Sequence, residues 1–123
     1  MLNRLFEAGL LIGVPLDVAA GRYLFRGGQP AAYVYWLEQG CVEIGPAHAA
    51  AAASLTLGAP ALLGASHLLK ATCPHTARAH TDCRVRVLPR ADLWELLPIR
   101  PDLRLYVLRC LCRDMALNQP HYE

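Results

Sequence analysis

A run of small and hydroxylic residues, Gly64-Ala65-Ser66-His67-Leu68-Leu69, is followed after a short gap by Pro74-His75-Thr76-Ala77. The first run suits a short helical turn after a strand. The free backbone N–H groups at the start of such a turn favour an anion without any charged side chain. Ser66 and Thr76 can add hydroxyl donors, and His75 adds a charge when protonated. The backbone from Gly64 to Ser66 and the side chains of Ser66, His75 and Thr76 are therefore candidates for binding a phosphate or another anion. Such a site binds more weakly, and with more pH dependence, than one built on arginine, whose planar fork stays charged at any relevant pH.

Other polar groups carry less. Cys73-Pro74-His75 and His80-Thr81-Asp82-Cys83 hold ligand types for zinc, but no CxxC pair occurs. Zinc needs four ligands converging in a tetrahedron. If Thr76 to Cys83 is extended, His80 and Cys83 point to opposite faces. No metal site is expected. Cys110 and Cys112 lie two apart on a helix, so their thiols diverge by about 200° and cannot bridge. Arg78, His80, Arg84 and Arg86 share one strand parity and could form a basic stripe; a solvated sheet face is the simpler reading, since no aromatics interleave as a single-strand nucleic-acid platform needs. No nucleophile elbow or phosphate-binding loop is present, so the expectation is no catalytic residue and no enzyme.

These residues must be positioned by a mostly β domain. From Leu16 to Val87 Gly and Pro recur at short intervals between β-branched and aromatic runs, the pattern of many short strands in a sandwich or barrel. In Tyr33-Val34-Tyr35-Trp36-Leu37 alternation puts Val34 and Trp36 on one face and the other three on the opposite face. Both faces are largely apolar, which predicts an interior strand. Arg84-Val85-Arg86-Val87 alternates with the valines toward a core. Gly27-Gly28 and Gln39-Gly40 mark turns. The alanine run 49–53 reads as a loop entering a strand at Ser54 to Leu57. The N-terminal segment, about 2–11, reads as a short helix ended by Gly13 and Pro15, with Leu2, Leu5, Phe6 and Leu10 at helical spacing.

After Pro89 the period becomes helical, over about 91–117. Asp92 to Leu97 forms one short helix, Pro98 and Pro101 break it, and Pro101 can open the next. On that last helix Leu105, Val107, Leu108, Leu111, Cys112, Met115 and Ala116 cover about half the circumference, with Arg109 and Arg113 opposite. Two coverings fit so wide an arc: the domain's own strands and first helix, or a second copy of the chain. Leu105, Leu108, Leu111, Cys112 and Met115 are the candidates for a dimer helix.

At 123 residues with 54% hydrophobic and 18% charged residues, the chain can bury one core and is not a disordered segment. A net charge of +2 does not argue for nucleic acid. Five cysteines in irregular spacing, with no secretory leader before them, fit free thiols in the cytoplasm. The apolar stretch from Ala47 to Leu69 is interrupted by polar residues, Gly and Pro, so no membrane helix is expected.

Read in order, several segments resemble the cyclic-nucleotide-binding domain family, the effector domain of catabolite-activator-like proteins. Gly64, Leu68, Leu69, Pro74, Thr76 and Ala77 match its phosphate-binding cassette, and the resemblance implies a ligand-binding set of Gly64, Ala65, Ser66, Pro74, His75, Thr76 and Ala77. Ala20 to Gln29 resembles its AGE-x-LF-x-x-GD segment, and Tyr35 to Ile44 its Y-x-L-x-x-G-x-V-x-V hairpin. Ala77 to Cys83 and Pro89 to Leu97 resemble the strand and helix after the cassette. The likeness runs over roughly residues 10 to 115. It implies a jelly-roll or double-stranded β-helix sandwich flanked by an N-terminal helix and C-terminal helices, and a homodimer through the last helix. Two positions depart from the family pattern. Ala65 stands where the family has the Glu that accepts from the ribose hydroxyl, and His75 where it has the Arg that pairs with the cyclic phosphate. Losing an Arg–phosphate pair costs on the order of a few kcal/mol, or about two decades in affinity.

The expected function is thus a stand-alone regulatory or interaction domain with a degenerate or retuned pocket, acting by dimerising or by docking onto another protein. The alternative is a sensor in which a cyclic nucleotide or another anion at residues 64–77 repositions the last helix. Neither reading includes a resident cofactor, direct nucleic-acid binding or a membrane. The last helix is expected to end the domain, so reading DNA would need a partner's helix.

Overall fold

The computed structural model describes residues 2–46 and 54–116. The alanine run 49–53 and Leu117 lie outside them. Eight strands are formed among the described residues: β1 (Val14–Val18), β2 (Tyr23–Phe25), β3 (Tyr33–Gln39), β4 (Cys41–Pro46), β5 (Leu55–Gly58), β6 (Ala61–Leu63), β7 (His75–Ala79) and β8 (Cys83–Pro89). They pair antiparallel in two four-stranded sheets, ordered β1-β8-β3-β6 and β2-β7-β4-β5. The alternation of sheets along the chain is that of a jelly-roll sandwich. Helix α1 (Leu2–Glu7) precedes the strands; α2 (Arg90–Leu96), a 3₁₀ turn at Leu97–Ile99 and α3 (Pro101–Ala116) follow them.

Strand parity divides the interior into two cores. On β3, Val34 and Trp36 face the helices, where they pack with Leu2, Leu5, Leu62, Leu93, Leu103 and Val107. Leu37 faces the second sheet, in a layer with Phe25, Val42, Ile44, Leu63, Ala77 and Val85. With apolar residues required on both faces, β3 sits between β8 and β6 as an interior strand. The indole N–H of Trp36 donates to Asn3 Oδ1 at 3.0 Å and so ties α1 to the sheet.

Four features differ from the sequence reading. Helix α1 stops at Glu7 rather than near residue 11, because Gly9 adopts φ +75° and turns the chain. Leu10 is consequently exposed while Leu11 returns to the core. The strands begin at Val14, before residue 16. The segment after the cassette is not one extended strand: β7 ends at Ala79 and β8 begins at Cys83 in the other sheet. Thr81 and Asp82 fix the turn between them by accepting the N–H groups of Cys41 and Ala20. Arg78 therefore lies on a different sheet from Arg84 and Arg86, and the basic stripe does not form. Arg84 pairs with Asp17 and Arg86 with Glu38, each at 3.0 Å.

The fourth difference concerns α3. Its covered stripe is Leu103, Val107, Cys110 and Asp114, at steps of four, three and four residues. Arg113, expected on the solvent side, instead folds back: its Nη2 donates to the carbonyl of Leu62 at 2.7 Å and pairs with Asp114. The apolar arc read from the sequence is largely uncovered. Leu105, Leu108 and Met115 are more than half exposed, Cys112 is exposed and Leu111 is half-buried.

Candidate functional site

The cassette joins β6 to β7. Leu63 ends β6, Gly64 turns the chain with φ +80°, and Ala65–Leu68 form a single 3₁₀ turn. This turn straddles the two cores. Ala65 and Leu68 pack on the helix side. His67 goes the other way, with its ring edge-on to Phe25 at 4.6 Å between centroids and to Tyr35 at 6.5 Å. His67 is 1% exposed.

The proton position on this imidazole follows from its partner. Nδ1 lies 2.7 Å from the carbonyl oxygen of Tyr33, which can only accept, so Nδ1 carries the hydrogen. Nε2 is then a bare acceptor, and it has no hydrogen-bond partner among the described residues. Burial pushes the His67 pKa below its ordinary 6.5, outweighing the hydrogen bond to Tyr33. The ring is neutral at physiological pH.

The seven candidate ligand-binding residues contribute unequally. Ala65 is fully buried and offers no polar side-chain atom. Ser66 and Pro74 are half-buried. His75 opens β7 and is 3% exposed. The Thr76 hydroxyl accepts the N–H of Gly27 at 2.9 Å, which pins the β2–β3 turn to β7. Ala77 is fully buried in the layer between the sheets. No arginine guanidinium lies within the cassette residues themselves.

Three side chains from the helices hold the cassette from its outer side. Arg90 Nη1 donates to the carbonyls of His67 and Lys70, at 3.2 and 2.9 Å. The indole of Trp94 donates to Leu68 at 3.1 Å. Arg113 reaches Leu62 on the strand that feeds the turn. The accepting carbonyls of His67 and Leu68 lie at the end of the 3₁₀ turn, that of Lys70 follows it, and that of Leu62 lies within β6. Beside the clamp, Leu68, Leu69, Trp94, Leu97, Leu108 and Leu111 line an open apolar groove of about 440 Å³.

His67 was not among the residues singled out from the sequence. Only the adjacency of an imidazole to the cassette glycine could have pointed to it. The other polar groups do not converge: Cys73 and Cys83 are buried, His80 is exposed, and no group of three or more His, Cys, Asp or Glu gathers among the described residues. No described helix is long and apolar enough to cross a membrane.

Comparison with known proteins agrees with this architecture. A bacterial protein described within a cyclic-GMP-dependent signalling pathway that regulates phytopathogenesis superposes with a TM-score of 0.72 at 21% identity, over 97% of this chain and 95% of that one. The Thermus thermophilus catabolite activator protein gives 0.73 at 20% identity, over 92% and 55%. The sensor domain of the transcriptional regulator DNR from Pseudomonas aeruginosa gives 0.67 at 18%, over 89% and 77%. At these identities the likeness establishes the fold. No curated protein matches the sequence. The model of the cyclic nucleotide-binding domain matches residues 15–99, from β1 through the turn after α2. That span is well over half of the chain and includes the whole cassette, so this protein belongs to the cyclic nucleotide-binding domain family.

Proposed function

We propose that this protein is a regulatory or interaction domain, not a catalyst, whose cassette is not a standard cAMP or cGMP site and which works by pairing or docking through α3. The observation that carries this reading is the inner side of the cassette turn. Where a cyclic phosphate needs a guanidinium and a ribose needs a carboxylate, the chain has buried His75 and buried Ala65, with the neutral imidazole of His67 beside them. A neutral acceptor nitrogen in an apolar layer disfavours an anion.

The uncovered face of α3 supports the second half. Leu105, Leu108, Cys112 and Met115 form an exposed apolar line along about three turns of helix. A second copy laid against it brings two such lines together, and a stable dimer needs about 800 Å² from each partner. The free thiols suit a reducing compartment, which makes the cytoplasm the natural location.

Two measurements on the purified protein test the reading. Sedimentation equilibrium should give a dimer that Leu108→Glu converts to monomer. Scanning calorimetry with millimolar cAMP or cGMP should leave the melting temperature unchanged, because a ligand that binds only the folded state raises it. A saturable rise with either nucleotide overturns the first half; a monomeric wild-type protein overturns the pairing through α3.

One observation favours the sensor alternative. The bonds from Arg90, Trp94 and Arg113 couple the cassette rigidly to α2 and α3, so a ligand that displaced the turn would displace the helices. Such a ligand acts only through different affinities for the two helix positions.

A further inference from the structure

Resting on the reading of the cassette given above, we infer that the imidazole of His67 is the cassette's own occupant: it fills the space beside Gly64 on the inner side of the turn and bolts the turn to β3, so the site is closed by its own side chain.

The fit around Gly64 is the first observation. A Cβ built on Gly64 would lie 2.6 Å from His67 Nδ1 and 2.8 Å from Cε1, closer than any real Cβ contact. The glycine is bare there because the ring of the residue three positions on lies against it. The second observation is the bolt itself, the 2.7 Å bond from Nδ1 to the Tyr33 carbonyl. The third is the packing of the same ring against Phe25 and Tyr35 in the layer between the sheets. From outside, Arg90 holds the carbonyl of His67 itself. The turn is thus fixed on both sides, and any small molecule that approached its inner face at Gly64 would have to displace the imidazole. The charges that reach His67 come from His75 on β7, Asp114 on α3 and Arg90 on α2. Asp114 is the one among them that favours a protonated ring, and it does not offset the burial.

The test removes the occupant and offers it back. In the full chain His67→Ala leaves a space of imidazole shape lined by Phe25, Tyr35 and the Tyr33 carbonyl. Imidazole at about 10 mM, binding with a Kd of about 1 mM, raises the melting temperature of that variant by about 5 °C. It leaves the wild-type protein unchanged. Nitrogen-detected NMR of wild-type protein supplies the second readout, independent of whether the variant folds: His67 should be the Nδ1–H tautomer with a slowly exchanging proton, titrating below 6.5. A folded His67→Ala protein indifferent to imidazole overturns the inference, and so does a His67 ring that titrates normally with its hydrogen on Nε2. Wild-type binding of cAMP together with imidazole rescue sinks the reading of the site and leaves the bolt standing. No nucleotide binding and no rescue does the reverse.

Discussion

Replacing Gly64 by Ala isolates the contact on which the closed cassette depends. The substitution has two costs. A non-glycine residue at φ +80° costs roughly 1–2 kcal/mol, whatever the space around it. The new Cβ must also push the His67 ring away from 2.6 Å, which breaks the buried bond to Tyr33 and costs a further 1–3 kcal/mol or so. A central figure of about 3 kcal/mol corresponds to about 12 °C in melting temperature, at an unfolding entropy near 2.1 cal/mol/K per residue over the 123 residues. Gly28 supplies the control. Its φ is +88° and a Cβ there would meet nothing within 4 Å, so Gly28→Ala carries the backbone cost alone, about 4–8 °C. Differential scanning calorimetry of both variants, and of Gly64→Ala in the His67→Ala background, completes the experiment. The Gly64 cost should fall to the Gly28 value once the ring is gone. Equal losses at Gly28 and Gly64, or a Gly64 cost unchanged without His67, would show that the imidazole does not fill the space beside Gly64.

Three further outcomes are expected. As pH falls below 6.5 the unfolded chain takes up a proton that buried His67 refuses, so stability drops from that value down to the depressed folded pKa; a melting series should show this slope, and His67→Phe should reduce it. Arg113→Ala strands the Leu62 carbonyl and the Asp114 carboxylate, whose side chain is 5% exposed, and should lower stability by about 2–3 kcal/mol in urea melts, with Arg113→Ala/Asp114→Asn losing less than the two single changes together. A thiol reagent at neutral pH should label Cys112 first and Cys41 more slowly, whereas Cys73, Cys83 and Cys110, whose thiol pKa values are pushed up by burial, should react only on unfolding.

The strands were legible because each carries its own evidence. Val34 and Trp36 against Tyr35 and Leu37 announce a strand buried on both faces, and the sandwich has one there. Gly40, with φ +95° between β3 and β4, marks its turn from the sequence. The turn at 80–82 carries no Gly or Pro; it is made by the side chains of Thr81 and Asp82 reaching Cys41 and Ala20, distant in sequence. The covered face of α3 was misjudged for a related reason. Its stripe ends in Asp114, and a charged residue reads as solvent-facing until Arg113 is found bridging it to Leu62. His67 was hidden more deeply. Whether a residue of a four-residue turn faces one core or the other depends on how that turn sits between two layers, and local periodicity does not encode it. At the cassette the family resemblance implies a subtraction, with Ala65 in place of the family's carboxylate and His75 in place of its guanidinium. The positive content of the site, a side chain closing it from within, belongs to tertiary packing.

We propose that this cassette does not serve as an ordinary cyclic-nucleotide site. Isothermal titration of the wild-type protein with cAMP and cGMP up to millimolar concentration, at about pH 6 and about pH 8 on either side of the ordinary histidine range, tests it most directly. A cassette closed in this way gives no saturable heat at either pH. Saturable binding that is tighter at the lower pH and is abolished by His75→Ala would contradict it, because His75 would then be performing the phosphate-binding role of the missing arginine.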